Sequence, residues 1–156
     1  MNVFYSPAYA GSQVSFETTR KARWIAESLV RSPIAGVQLI PPEPLGETDL
    51  LKIHDAGYVQ AIRRGLPRWL AESQGFRWDA ALWPMVLASN GGAVAAAREA
   101  LAQGVSGSLS SGLHHARRDL GVGFCTFNGL ALAAGSALDS GAVSVLILDL
   151  DAHWGG

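Results

Sequence analysis

Four short apolar runs alternate with helix-like stretches along 156 residues, and this alternation limits the possible folds more than any other feature. Residues 2–5, 37–40, 105–109 and 143–148 are too short for helices, and most are bounded by Gly or Pro. Between the first two, residues 16–31 place Ala22, Ile25, Ala26, Leu29 and Val30 at helical spacing until Pro33 ends the pattern. Asp55 is positioned to cap a helix running through Arg64 and stopping at Gly65. Pro67 opens a shorter one that ends near Gly75. Residues 83–103 carry the longest helical pattern, with Gly104 at its end, and residues 128–138 form the helix before the last run. Strands alternating with helices predict an α/β fold.

Inside the longest helix, Gly91 and Gly92 each cost about 1 kcal/mol relative to Ala. Close approach of a neighbouring element is the expected reason for them, and the Ala-rich residues 93–97 fit the same tight packing. One domain spanning 1–156 is expected, without repeats or linkers. Apolar residues make up 49% and charged residues 16%, which suits a globular core and not a disordered chain. A net charge of -1 leaves no basic footprint for nucleic acid. No apolar run approaches the roughly 20 residues of a membrane span, and the N-terminus lacks the pattern of a signal peptide. Cys125, the one cysteine, excludes an internal disulfide and fits a reducing compartment. The expectation is a soluble cytoplasmic protein with no nucleic-acid or membrane partner.

The run at 143–148 leads into Asp149-Leu-Asp-Ala-His-Trp-Gly-Gly156. It reads as a fully buried strand, whose alternation would project Asp149, Asp151 and His153 to one side at its C-terminal end. Open α/β sheets place their active sites there. Two carboxylates and an imidazole suit a divalent transition metal, zinc above all. The bland alternative is a solvated turn in which Asp149 only caps the loop. A second cluster, Ser110-Ser-Gly-Leu-His-His-Ala116, follows the run at 105–109 and precedes Gly121-Val-Gly-Phe-Cys-Thr-Phe-Asn128. Tandem histidines in a Ser/Gly loop suit proton transfer, because an imidazole titrates near neutrality. Cys125 beside them admits a cysteine–histidine nucleophile as a rival, although Phe124 and Phe127 around it suggest a buried, inert thiol. Asp149-Leu-Asp also admits an aspartate-dependent phosphatase. His54 reads as structural, hydrogen-bonded to a backbone carbonyl.

Taken in order, the tandem histidines with Ala116, then Gly-Phe-Cys-Thr-Phe-Asn, then Asp-Leu-Asp-Ala-His resemble the zinc-dependent histone deacetylase family. That family includes acetylpolyamine amidohydrolases and acetoin-utilisation proteins. The likeness extends upstream through residues 16–29, 50–65 and 87–101, and it spans the N-terminal half of a typical family domain. It implies a three-layer αβα arrangement around a mostly parallel sheet, a truncated form of the arginase/deacetylase fold. It also implies that His115 is the general base, and that His114 is its neighbour, hydrogen-bonded to Asp149. Asp151 and His153 match two zinc ligands, and Gly123 and Phe124 the wall of an acyl-lysine tunnel. Potassium near Asp149 and an acetylated lysine or polyamine substrate complete what the resemblance implies.

Several positions depart from the family. Trp154 and Gly156 stand where a second His and an Asp or Asn are usual, so the group that orients the general base is missing. Losses of that kind cost about 10–100-fold. Ser110-Ser-Gly-Leu replaces Arg-Pro-Pro-Gly, a milder change, and Thr19 stands where proline is common. The family's third zinc ligand and its oxyanion-stabilising Tyr lie beyond Gly156, which predicts weak or absent zinc and negligible activity for these residues alone. A non-catalytic α/β scaffold is therefore the alternative from another functional class. In the resembled fold two later strands separate the third strand from the one ending at Asp149. Exposed edges, and hence a homo-oligomer with Trp154 as a contact, are expected.

Overall fold

A computed structural model describes residues 1–11 and 17–156 of the chain. The helix start expected at Phe16 and the side chain of Thr19 lie outside the described residues. Three strands, β1 (Asn2–Phe4), β2 (Gln38–Ile40) and β3 (Gly107–Ser108), form a parallel sheet in the order β2-β1-β3. Val3 pairs with Leu39 on one side and with Gly107 on the other. Parallel neighbours need crossovers, and the helices supply them. These are α1 (Glu17–Arg31), α2 (Glu47–Leu50), α3 (Ala56–Arg64), α4 (Arg68–Ala71), α5 (Leu82–Gln103) and α6 (Gly129–Asp139). A single 3-10 turn, Pro7–Ala10, follows β1. Neither this turn nor α2 shows a periodic pattern in the sequence, since each is only four residues long.

Local chemistry sets the helix ends. The Asp55 carboxylate accepts the Gly57 N–H at the start of α3, and Gly65 closes it in the left-handed region at φ 74°. Asn128 opens α6 by accepting the Ala131 N–H. The main core lies between α3, α5 and α6, where Leu50, Tyr58, Val59, Ile62, Leu82, Val86, Phe127 and Leu132 are buried. Tyr58 and Trp83 both meet the Phe127 ring edge to face. Gly91 and Gly92 are buried as expected. A Cβ on Gly91 would strike the Glu43 backbone, and one on Gly92 would strike the Tyr9 hydroxyl and lie 2.7 Å from Ser108 Oγ. Among the described residues, no helix is long and apolar enough to cross a membrane.

Two expectations need correction. The third strand is shorter than residues 105–109: Val105 is exposed, and pairing with β1 is confined to Gly107 and Ser108, extended by the Leu109 N–H to Phe4 O bond. Residues 143–148 are neither a strand nor buried. A strand requires a neighbour that takes up its N–H and C=O groups, and among the described residues none does so for this segment. Val143 is 100% and Leu146 91% exposed, so a run with a core strand's composition lies in solvent. Helix α1 is also less covered than its pattern suggests: Ala22 and Ala26 are buried, whereas Ile25 and Val30 are exposed.

Candidate active site

The tandem histidines occupy a turn whose backbone is under strain. Leu113, immediately before them, has φ 54°, and Phe124, beyond the following loop, has φ 65°. A bulky side chain in the left-handed region costs about 1–3 kcal/mol, and such residues cluster where geometry serves function. Leu113 stands where the resembled motif has glycine, so this departure is not the mild one that side-chain chemistry suggests. Gly123 has φ 54°, and a Cβ there would lie 2.6 Å from Cδ2 of His115. The chain thus needs glycine at 123 both for its backbone angle and for the close approach of the imidazole.

The structure brings the two motifs together across 35 residues. His114 Nδ1 donates to Asp149 Oδ2 at 2.6 Å, and its Nε2 lies 3.9 Å from Asp151 Oδ1. His114 Nε2 and His115 Nε2 are 3.2 Å apart, with the two rings tilted at 46°. The direction of the contact between the two Nε2 atoms depends on the tautomers of the two rings. His153 faces His115 edge-on at 6.0 Å between ring centres. Its Nδ1 lies 2.9 Å from Asp151 Oδ1. Asp151 and His153 are exposed, whereas the His114 side chain is mostly covered.

The strand-end residues are arranged as successive turns. Asp149 Oδ1 accepts the Asp151 N–H, and Asp151 Oδ1 accepts the His153 N–H. Both elements of the sequence reading are present in Asp149: it caps its own loop with one oxygen and holds His114 with the other. The His114 hydrogen bond, followed by the Asp151 amide, keeps the Asp149 carboxyl below the usual carboxylate range. The backbone and ring of His153 do the same for Asp151.

Around this cluster, Phe124 is exposed and its ring leans on Phe76 at 5.4 Å between centres. Phe124, Leu113 and Thr126 also line a cavity of about 30 Å³ that reaches Tyr9 and Met85. Cys125 is buried, and burial pushes its thiol above the ordinary value despite backbone groups of His115 and Ala116 nearby. That is the reverse of what a nucleophilic thiol requires. Trp154 is 92% exposed and does not fill the site. His54 is buried with Nδ1 2.9 Å from the Arg117 carbonyl, the structural bond its surroundings in sequence suggest. Asn128 was legible only as a helix start; its side-chain amide in fact donates to the carbonyls of His114 and Ala116.

A parallel sheet with a histidine–aspartate cluster after its third strand defines an α/β protein built around a polar loop pair. The histone deacetylase domain profile matches residues 15–156, and the chain belongs to the histone deacetylase family. It is similar to a probable deacetylase of Methanothermobacter thermautotrophicus, with 31% identity over 99% of this chain and 48% of the relative. It is 29% identical to the acetylpolyamine amidohydrolase of Mycoplana ramosa, over 94% of this chain and 53% of that protein. A histone deacetylase-like amidohydrolase of Pseudomonas aeruginosa is 31% identical over 96% of this chain and 40% of its own length. The chain therefore spans about half the length of the curated relatives it matches. The crystal structure of the HDA15 HD domain superposes with a TM-score of 0.72 at 18% identity, covering 90% of this chain and 43% of that one. This likeness establishes the arginase/deacetylase type of fold. Family membership sets the chain apart from aspartate-dependent phosphatases.

Proposed function

We propose that this chain is the histidine-bearing part of a zinc-dependent amidohydrolase that removes acetyl groups from lysine or polyamines, with an incomplete site in these 156 residues. The observation that carries this reading is the 2.6 Å bond from His114 Nδ1 to Asp149 Oδ2, which joins the tandem-histidine turn to the strand-end motif. In this reading Asp149 fixes the tautomer and orientation of His114. His115 takes a proton from the attacking water and returns it to the leaving amine. Gly123 makes the backbone turn and Phe124 the aromatic wall against which the acyl chain lies, with Phe76 supporting the Phe124 ring.

Asp151 Oδ1 accepts a hydrogen bond from His153 Nδ1 at 2.9 Å, a carboxylate and an imidazole of the kind zinc takes once that proton is displaced. They would hold the metal, which when bound polarises a carbonyl and lowers the pKa of water. Among the described residues, no group of three or more His, Cys, Asp or Glu is placed to hold a metal ion. Catalytic zinc has three protein ligands, so the residues present supply two of the three. A monovalent cation held by Asp149 and the backbone oxygens of Asp151 and His153 belongs to the same reading, since each Asp149 oxygen accepts one hydrogen bond and keeps a further acceptor site. The exposed apolar residues 143–150 support self-association, and the single buried thiol fits a reducing cytoplasm.

Turnover of an acetyl-lysine peptide and of an acetylated polyamine, with zinc added, tests the reading. Negligible hydrolysis is expected from these residues alone, since the lack of an oxyanion donor by itself costs about 10²–10³ in rate. Hydroxamate-sensitive turnover with stoichiometric zinc would overturn the claim that the site is incomplete.

A further inference from the structure

Two polar side chains behind the tandem histidines are fully engaged yet take no part in the chemistry above. His54, buried at the turn before α3, has a carbonyl at one ring nitrogen and an N–H at the other. Its Nδ1 lies 2.9 Å from Arg117 O and 3.3 Å from Arg118 O, and its Nε2 accepts the Asn128 N–H at 3.0 Å. Only a neutral ring protonated at Nδ1 satisfies both neighbours. The adjacent Asp55 N–H donates to Arg118 O at 2.8 Å, so two consecutive residues grip the chain just after the histidine turn.

Asn128 continues the connection. Its Oδ1 accepts the Ala131 N–H at 3.0 Å, so its Nδ2 must face the other way. There Nδ2 donates to His114 O at 3.3 Å and Ala116 O at 3.1 Å. The His114 carbonyl also accepts the Gly156 N–H at 2.7 Å, so one oxygen ties the histidine turn both to the α6 cap and to the strand-end loop. The turn held in this way contains Leu113 in the left-handed region, a conformation it would leave without external restraint.

We propose that His54 and Asn128 are positioning residues: the His54 ring orients Asn128, and the Asn128 amide holds the 114–116 turn so that His114 Nδ1 meets Asp149. This rests on the reading of His114 and Asp149 as parts of one site. A purely structural role, capping α6 and filling the core, would affect stability and leave the His114–Asp149 bond in place. Burial lowers the proton affinity of His54, which favours the neutral ring the geometry needs.

The test is imidazole proton and nitrogen NMR on the 156-residue chain. A histidine proton shared with a carboxylate at 2.6 Å gives a resolved far-downfield signal, and its loss in Asp149→Asn assigns it. Asn128→Asp retains the oxygen that caps α6 and removes both donations to the turn. In Asn128→Asp the downfield signal is expected to disappear while circular dichroism retains the helices. His54→Leu is expected to lose it as well, and His54→Gln, whose amide oxygen can accept the Asn128 N–H, to restore part of it. If Asn128→Asp does not fold, Asn128→Ser, which keeps a cap acceptor and cannot reach the two carbonyls, is read by the same criterion. Folded Asn128 and His54 variants with an undiminished signal overturn the proposal and leave the site reading intact. A parent chain without the signal, or one in which Asp149→Asn leaves it unchanged, removes the site reading and the proposal together.

Discussion

Gly123 concentrates the demands of the site at one residue. Its φ of 54° is costly for any side chain, as at Leu113, and here the His115 ring also fills the space a Cβ would take. Gly123→Ala should therefore destabilise the chain by about 1–3 kcal/mol and displace His115. A chemical-denaturation midpoint together with the His115 ring shifts measures both effects, and an unchanged midpoint would contradict the geometry. His54 makes a different prediction. Its folded pKa is lowered, so the unfolded chain binds the proton more tightly and stability falls as pH drops from about 6.5 toward the folded value. Above about 6.5 that contribution is fully present. Asp149 and Asp151 also have lowered folded values, so their contribution is lost only below about 3.8, as pH falls through them. Denaturation midpoints against pH should show two separate declines, and His54→Gln should remove the upper one. The structural role of His54 was legible in sequence, because an imidazole drawn into a fold must satisfy its ring nitrogens with neighbouring groups, and a backbone carbonyl is the commonest of these. The left-handed Leu113 was not: a leucine does not favour that angle, so nothing in its own identity announces it.

Helices were the most legible elements, because their signals are local. Asp55 and Gly65 bound α3 as their chemistry requires, and Asn128 opens α6. The glycine pair in α5 also announced close packing, since nothing else offsets the helix penalty. The sign of Gly92→Ala follows from magnitudes. Alanine gains about 1 kcal/mol of helix propensity, while overpacking against the Tyr9 hydroxyl and Ser108 costs about 1–3 kcal/mol. A net loss is expected in thermal or chemical denaturation, and a gain would show that α5 does not approach the sheet so closely. Residues 143–148 were the illegible case. Their composition reports that they suit a sheet, but pairing depends on a neighbour elsewhere, and local sequence carries no information about whether one is in reach.

At the scale of the molecule, the consequence is an apolar segment in water. Val143, Leu146, Leu148 and Leu150 are exposed beside the polar cluster, and no strand among the described residues covers them. Exposed segments of this kind recruit partners. Sedimentation at micromolar concentration should show a dimer or larger species, and Leu146→Lys with Leu148→Lys should shift it toward monomer. A monomer with a cooperative melt would contradict the exposure.

The central claim is that the histidine turn and the strand-end motif form one zinc site with two of its three ligands. Equilibrium zinc titration against a competing chelator, on the parent chain and on Asp151→Asn with His153→Ala, tests it most directly. The parent should bind zinc well short of the roughly 10–16 kcal/mol of complete structural sites, and the double variant should lose that binding. Tight binding by the parent, or zinc affinity untouched by the double substitution, would contradict the account.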